Sequence, residues 1–289
     1  MSMYKMTYSM DETQAMYAAV SEDMLRWTPF KEGEPVLDLR PAGRIIRDPF
    51  WFEFEGRYHA LFTDNWQSRT IGHAVSDNFV DWEIADFIPV MGENEDVANC
   101  WAPEVYFEPD GTGVILWSSS FISRNNEHKI SNRIWALKTK DFREFSKAEL
   151  FFDPGYPVID ATMWREDGTY YMAFKDERGF NAPGSPYSAI RTTWGREKEK
   201  PFSWGKEPVC RMDGPMGRNI SPLLTGWRTE GPILIKKDGE FYLFYDSFGD
   251  HTYKGLRSRD YREWTDISEE MDFPFHCKHL CIRKDTLNP

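Results

Sequence analysis

Three carboxylates occupy corresponding places in a sequence that repeats itself. Asp48 lies in Arg47-Asp48-Pro49, Asp160 in Ile159-Asp160-Ala161, and Glu230 in Thr229-Glu230-Gly231-Pro232. Two carboxyl groups can cleave a glycosidic bond: one protonates the leaving oxygen while the other activates water on the opposite face of the sugar. A third carboxylate nearby raises the acid's pKa by repulsion and helps to orient it. Each residue also has an ordinary explanation. An Asp-Pro pair is commonly a turn, and a glutamate before Gly-Pro can simply begin an edge strand. Asp160 follows the apolar Pro157-Val158-Ile159, so it is either buried at a cost or functional.

The elements that must position these acids are visible as repeats. Asp48, Glu104, Asp160 and Glu230 each open a unit made of an apolar strand, a charged turn with glycine and a very aromatic strand. The turns are Glu55-Gly56, Asp110-Gly111, Asp167-Gly168 and Asp238-Gly239, the residue pairs favoured in tight hairpins. A second motif follows several units: Ser76–Trp82 (SDNFVDW), Thr139–Phe145 (TKDFREF) and Ser258–Trp264 (SRDYREW), with Ser203-Trp204 as an eroded copy. Two coupled motifs recurring at about 50–70 residues describe sheet modules set in a ring, an all-β five-bladed β-propeller. A β-sandwich with chance similarity is the alternative. Residues 1–289 are expected to form a single such domain, with residues 1–30 as an N-terminal extension packed on it. Within that extension, residues 12–27 suggest an amphipathic helix. The stretch before Arg47 and the segment Phe273–Asp285 remain to build the fifth blade or close the ring. A propeller brings equivalent positions of its blades together at one end of the axis, so the acids should converge there.

Composition narrows the partners. The 289 residues carry 35 Lys+Arg against 47 Asp+Glu, a net charge of −12. That balance argues against nucleic acid and anionic membranes, which need a dense basic footprint. Aromatic residues make up 16%, too many for a disordered chain. No apolar run reaches the roughly 18 residues of a membrane span. The opening residues lack the layout of a signal peptide, which points to a cytoplasmic location, or a secreted one if a leader has been removed. Four cysteines are too few for a disulfide scaffold. Cys277 and Cys281, with His276 and His279 interleaved, suggest zinc, but those ligands would crowd a tetrahedral site.

Arg47-Asp48-Pro49, Trp101-Ala102-Pro103-Glu104, Ile159-Asp160 and Thr229-Glu230-Gly231-Pro232, in this order, resemble glycoside hydrolase family 43. The resemblance runs from about Ile45 to Ile282 and includes Trp264–Ser268, Phe273-Pro274 and Lys278-His279. It implies a five-bladed propeller that hydrolyses with inversion, with Asp48 as general base, Glu230 as general acid and Asp160 as the residue that tunes and positions the acid. No cofactor is required. The family often has a central histidine near an axial metal or water cluster; His279 matches it, which admits a calcium ion there. Two departures bear on that inner lining. The family usually continues His-Gly-Ser/Thr-Val, whereas this chain reads His279-Leu280-Cys281-Ile282, and its second-blade acid is commonly Asp rather than Glu104.

Around the acids, Trp66 and Trp101 are candidates for stacking on a sugar face, and Glu104 for lining the pocket. Lys175 and Asp176, next to Glu177, are candidates for binding hydroxyls, as are Asp246 and Arg257 on weaker grounds. The expected substrate is an arabinose- or xylose-containing plant glycan, cleaved by an α-L-arabinofuranosidase or β-xylosidase activity. Galactan-directed hydrolysis, a propeller-fold phosphorylase and a carbohydrate-binding propeller without activity are the alternatives. A phosphorylase needs a cationic cluster for phosphate, and a decayed site should have lost a carboxylate. The turn motifs resemble sialidase aspartate boxes but lack their glycine. No feature specifies an oligomeric state.

Overall fold

The computed structural model describes residues 3–124, 131–273 and 276–287. The chain opens with β1 (Tyr4–Ser9), β2 (Tyr17–Ser21) and β3 (Thr28–Pro29). Blade one follows as β4 (Arg47–Phe54), β5 (Arg57–Thr63), β6 (Ile71–Ser76) and β7 (Glu83–Ile88). Blade two is β8 (Trp101–Phe107), β9 (Gly113–Ser119), β10 (Arg133–Thr139) and β11 (Glu149–Phe152). Blade three has three strands, β12 (Val158–Glu166), β13 (Thr169–Asp176) and β14 (Ala189–Arg196). Blade four is β15 (Glu230–Lys237), β16 (Glu240–Ser247), β17 (Thr252–Ser258) and β18 (Thr265–Asp266). The last strand, β19 (Lys278–Lys284), completes blade five in the order β19-β1-β2-β3. The innermost strands β4, β8, β12, β15 and β19 pack against one another in a closed ring.

Blade five corrects two sequence expectations. Residues 1–30 are not an extension laid on the propeller: from Tyr4 onward they supply three strands of a blade, while residues 1 and 2 lie outside the described residues. The helix expected over residues 12–27 is absent. Its apolar residues Tyr17–Val20 instead run consecutively through β2, almost all buried, and the chain then enters a further copy of the turn motif. Ser21 Oγ accepts the Met24 N–H at 2.9 Å, Asp23 Oδ1 accepts the N–H groups of Leu25 and Arg26, and Trp27 Nε1 donates to the Met24 carbonyl. The same bonds recur at Ser76, Asn78 and Trp82. The residue under each turn, Met24, Phe79, Phe142 or Tyr261, has φ between 55° and 72° and is buried. Such a turn holds its backbone with a local hydroxyl and carboxylate, as serine, aspartate and asparagine favour. Ser203 does not repeat it and bonds through its backbone to Val209.

Ring closure joins the two chain ends. β1 pairs with β19 in antiparallel register, Tyr4 opposite Lys284. Beneath it, buried Lys5 donates to Tyr58 Oη at 2.8 Å and pairs with Asp285 at 2.8 Å, while Tyr58 donates to Asp285 at 2.9 Å. This charged trio ties β1, blade one and the segment after β19 together, and its members satisfy one another as burial requires.

Candidate active site

The innermost strands share an irregularity that explains where the acids point. The antiparallel ladder skips between Arg47 and Phe50, Trp101 and Glu104, Ile159 and Thr162, and Glu230 and Ile233. It skips again in the β1–β19 pairing beside His279, between Thr7 and Ser9. At each skip one residue is left-handed: Asp48 (φ 51°), Ala102 (48°), Asp160 (57°), Gly231 (55°) and His279 (42°). Bulges re-aim side chains next to functional sites, and holding a non-glycine residue left-handed costs of order 1–3 kcal/mol. Four of the five carry side chains, so the fold sustains this strain repeatedly at one end of the axis.

The strain brings the three acids together through His279. Its Nδ1 meets Asp48 Oδ1, and its Nε2 lies 3.3 Å from Asp160 Oδ2. Asp160 Oδ2 also accepts the Gly231 N–H at 3.1 Å, next to Glu230. A β-carbon on Gly231 would fall 1.9 Å from His279 Cδ2, so glycine lets the two strands approach. Thr63 Oγ1 donates to Asp48 Oδ2 at 2.6 Å and accepts the Ala102 N–H at 2.8 Å, while Ser118 Oγ accepts the Asp160 N–H at 3.0 Å. Glu230 Oε2 stands 2.8 Å from Lys175 Nζ. Asp48, Asp160 and Glu230 thus lie on innermost strands of blades one, three and four around one mouth.

The charges settle unequally. Burial pushes Asp48 up, but His279, Arg47 and the Thr63 hydrogen bond outweigh it and hold Asp48 well below the usual carboxylate range. Burial opposes charge on His279, but Asp160 and Asp48 overcome it, and its pKa rises well above the ordinary 6.5. Glu230 differs from the expectation that neighbouring negative charge keeps it protonated. Burial does push it up, yet Lys175 and His279 prevail and lower it. Glu104 is pushed by burial up to about 8.

His279 is therefore expected to carry both ring protons at neutral pH. Its ion-pair stabilisation is fully present below pH 6.5 and is lost as pH rises through the elevated folded-state value. Ring ¹⁵N shifts of labelled protein check this; a His279 signal that becomes neutral near pH 6.5 would contradict it.

The residues around His279 do not suit the calcium ion admitted there. Calcium takes about six to eight oxygen ligands, whereas both His279 nitrogens face carboxylate oxygens. Cys277 and Cys281 are buried thiols whose pKa values burial raises, and His276 is exposed. Among the described residues no three His, Cys, Asp or Glu side chains are arranged to hold a metal ion. A metal ligated by His279 does not fit these residues.

The other candidates separate. Trp66, half exposed, meets Trp101 edge to face with centroids 6.3 Å apart, and Trp101 Nε1 donates to the Trp66 carbonyl. The Arg47 guanidinium lies 4.1 Å from the Trp66 ring centre and pairs with Asp11. Glu104 lines a small axial cavity of about 20 Å³ with Asp48, Asp160 and His279. Lys175 is wholly buried between Glu177 and Glu230 rather than open to a ligand. Asp176 is equally buried and held by Arg178 and Arg191. Asp246 pairs with Lys278 at 3.0 Å. Arg257 stands apart: β17 runs away from the mouth, so the residue near its end, facing Glu240 and Glu270, reaches the opposite face. Pro274 lies outside the described residues.

Thr63, Ser118 and Glu177 were not singled out for these roles from sequence. A signal existed for the first two. They stand at or next to the end of second strands, opposite Arg47 and Trp101, as Lys175 and Asp246 stand next to the end of theirs opposite Ile159 and Glu230.

Among solved structures, a thermostable family-43 glycoside hydrolase is similar with a TM-score of 0.60 and 21% identity, covering 81% of this chain and 74% of that one. An α-L-arabinofuranosidase of Bifidobacterium longum subsp. longum is 30% identical over 90 residues, 27% of this chain and 8% of the relative. A fructan 1-exohydrolase of Hordeum vulgare is 27% identical over 184 residues, 57% of this chain and 30% of the relative. The aligned stretches thus span less than a third of these curated relatives. No helix among the described residues is long and apolar enough to cross a membrane. The family described as a probable glycosyl hydrolase domain, related to glycoside hydrolase family 43, matches residues 1–284, and with the propeller and its ring of axial acids this places the chain in that family.

Proposed function

We propose that the protein is an inverting glycosidase of plant glycans or their oligosaccharides, acting on arabinofuranosyl or xylosyl residues. The observation that carries this reading is the convergence of Asp48, Asp160 and Glu230 from three blades onto one mouth, linked by His279 and the Gly231 N–H. Asp48, ionised and fixed by Thr63 and His279, is the general base that takes a proton from water. Glu230 is the general acid. It requires a proton that Lys175 disfavours in the free chain. A sugar filling the mouth excludes water and so strengthens burial, already the largest influence on Glu230, toward the protonated form. Asp160 steadies the acid's backbone through Gly231. The Trp66–Trp101 rim offers ring surface for a sugar face.

Hydrolysis is favoured over phosphorolysis because the nearby cations are already committed: Arg47 to Asp11, Lys175 to Glu177 and Glu230, and Lys278 to Asp246. A panel of 4-nitrophenyl α-L-arabinofuranoside, β-D-xyloside and β-D-galactoside tests the sugar. Proton NMR of the first-formed product on the cleaved substrate should show the inverted anomer; a retained anomer would remove Asp48 from the role of base.

A further inference from the structure

A lysine as deeply buried as Lys175 keeps its charge only with close carboxylate partners. Here there are two: Nζ stands 2.8 Å from Glu177 Oε2 and 2.8 Å from Glu230 Oε2. The Glu177 side chain is 6% exposed and that of Glu230 is 26% exposed, so the first is an inner partner and the second opens to the mouth. The rings of Phe180 and Phe248, each 5.0 Å from Nζ, close the apolar side. One ammonium cannot neutralise two carboxylates, and a single proton makes the trio neutral. The site of that proton decides whether Glu230 is ready to act as an acid.

We propose that Glu177 is a positioning residue that, by sharing Lys175, holds back part of its charge from Glu230 and so limits how far the ammonium stabilises the ionised acid. The proposal rests on the reading of Glu230 as general acid. The remaining charges facing Glu230 are Asp246 from β16, Lys278 and His279 from β19, and Arg47 from β4, while Asp160 from β12 binds the adjacent Gly231 N–H. Glu177 faces Lys175, Glu230 and Asp160; burial raises it above the usual glutamate range although Lys175 pulls it down, so the effect of removing its charge is read at pH values where it is ionised. Glu177→Gln removes a negative charge and gives Glu230 the whole ammonium, so ionised Glu230 gains. Lys175→Gln does the reverse. A residue that merely supported the fold would not move Glu230 in opposite directions.

Carboxyl-¹³C NMR of the full chain tests this without any substrate. The resonance absent from Glu230→Gln is that of Glu230. Its midpoint should fall by about one pH unit in Glu177→Gln, rise by about as much in Lys175→Gln, and stay near the wild-type value in the charge-conserving Glu177→Asp. The basic limb of kcat/KM, measured on xylobiose or arabinobiose, should follow the same shifts. An unmoved midpoint in Glu177→Gln, or shifts of one sign in Glu177→Gln and Lys175→Gln, would overturn the coupling. Midpoints that move while the kinetic limb does not would instead overturn Glu230 as the acid, and the proposal with it.

Discussion

Glu230→Gln should cut turnover of an oligosaccharide by about 10²–10⁴-fold while sparing a 4-nitrophenyl glycoside far more. The asymmetry follows from the leaving group. A sugar hydroxylate is a poor leaving group and must receive a proton as the bond breaks, whereas 4-nitrophenolate departs with little help. The substitution keeps the shape of the side chain. Lys175 retains Glu177 at 2.8 Å, so no buried ammonium is left unpaired, and the loss reports on proton donation rather than on a collapsed mouth. Steady-state kinetics on both substrate types checks it. Equal losses on the two would remove Glu230 from the role of acid.

Asp48→Asn should lower both substrate types alike, also by about 10²–10⁴-fold, because water must attack whichever group leaves. Asparagine can still accept from His279 through Oδ1 while its amide turns toward Thr63 Oγ1, so the bulge can be kept while the base is lost. The pH dependence has a definite sign. Asp48 is depressed in the folded chain, so its stabilisation is present above its unfolded value of 3.8 and is lost only as pH falls through the lower folded value. The base therefore stays ionised through the neutral and mildly acidic range. An Asp48→Asn variant that spared the aryl-glycoside, beside a Glu230→Gln variant that did not, would mean that the two roles are exchanged.

The parts of the fold legible in the sequence are those written in local chemistry. Glu55-Gly56, Asp167-Gly168 and Asp238-Gly239 each adopt two positive φ values, as a tight hairpin of matching twist requires. The Ser/Thr-x-Asp/Asn turns recur because one hydroxyl and one carboxylate satisfy their backbone wherever they occur. Repetition of these signals fixed the blades, and with them the strand starts that carry Asp48, Asp160 and Glu230. Blade five was harder to read. Its innermost strand comes from the other end of the chain, and β2 with Ser21–Trp27 has apolar spacing that also suits a helix. Only pairing with β1 decides between the two.

The sequence by itself therefore determined the repeat, the propeller and the layer in which the acids stand, because turn chemistry and strand periodicity act over a few residues. The tertiary structure decided which charges meet. His279 bridges Asp48 and Asp160 across 231 and 119 residues of chain, and Lys175 reaches Glu230 across 55. Those meetings depend on five left-handed bulges and on the close approach that Gly231 allows. Whether a carboxylate in that layer is ionised, protonated or shared then follows from burial and from the sign of its nearest neighbour, which spacing along the chain does not encode.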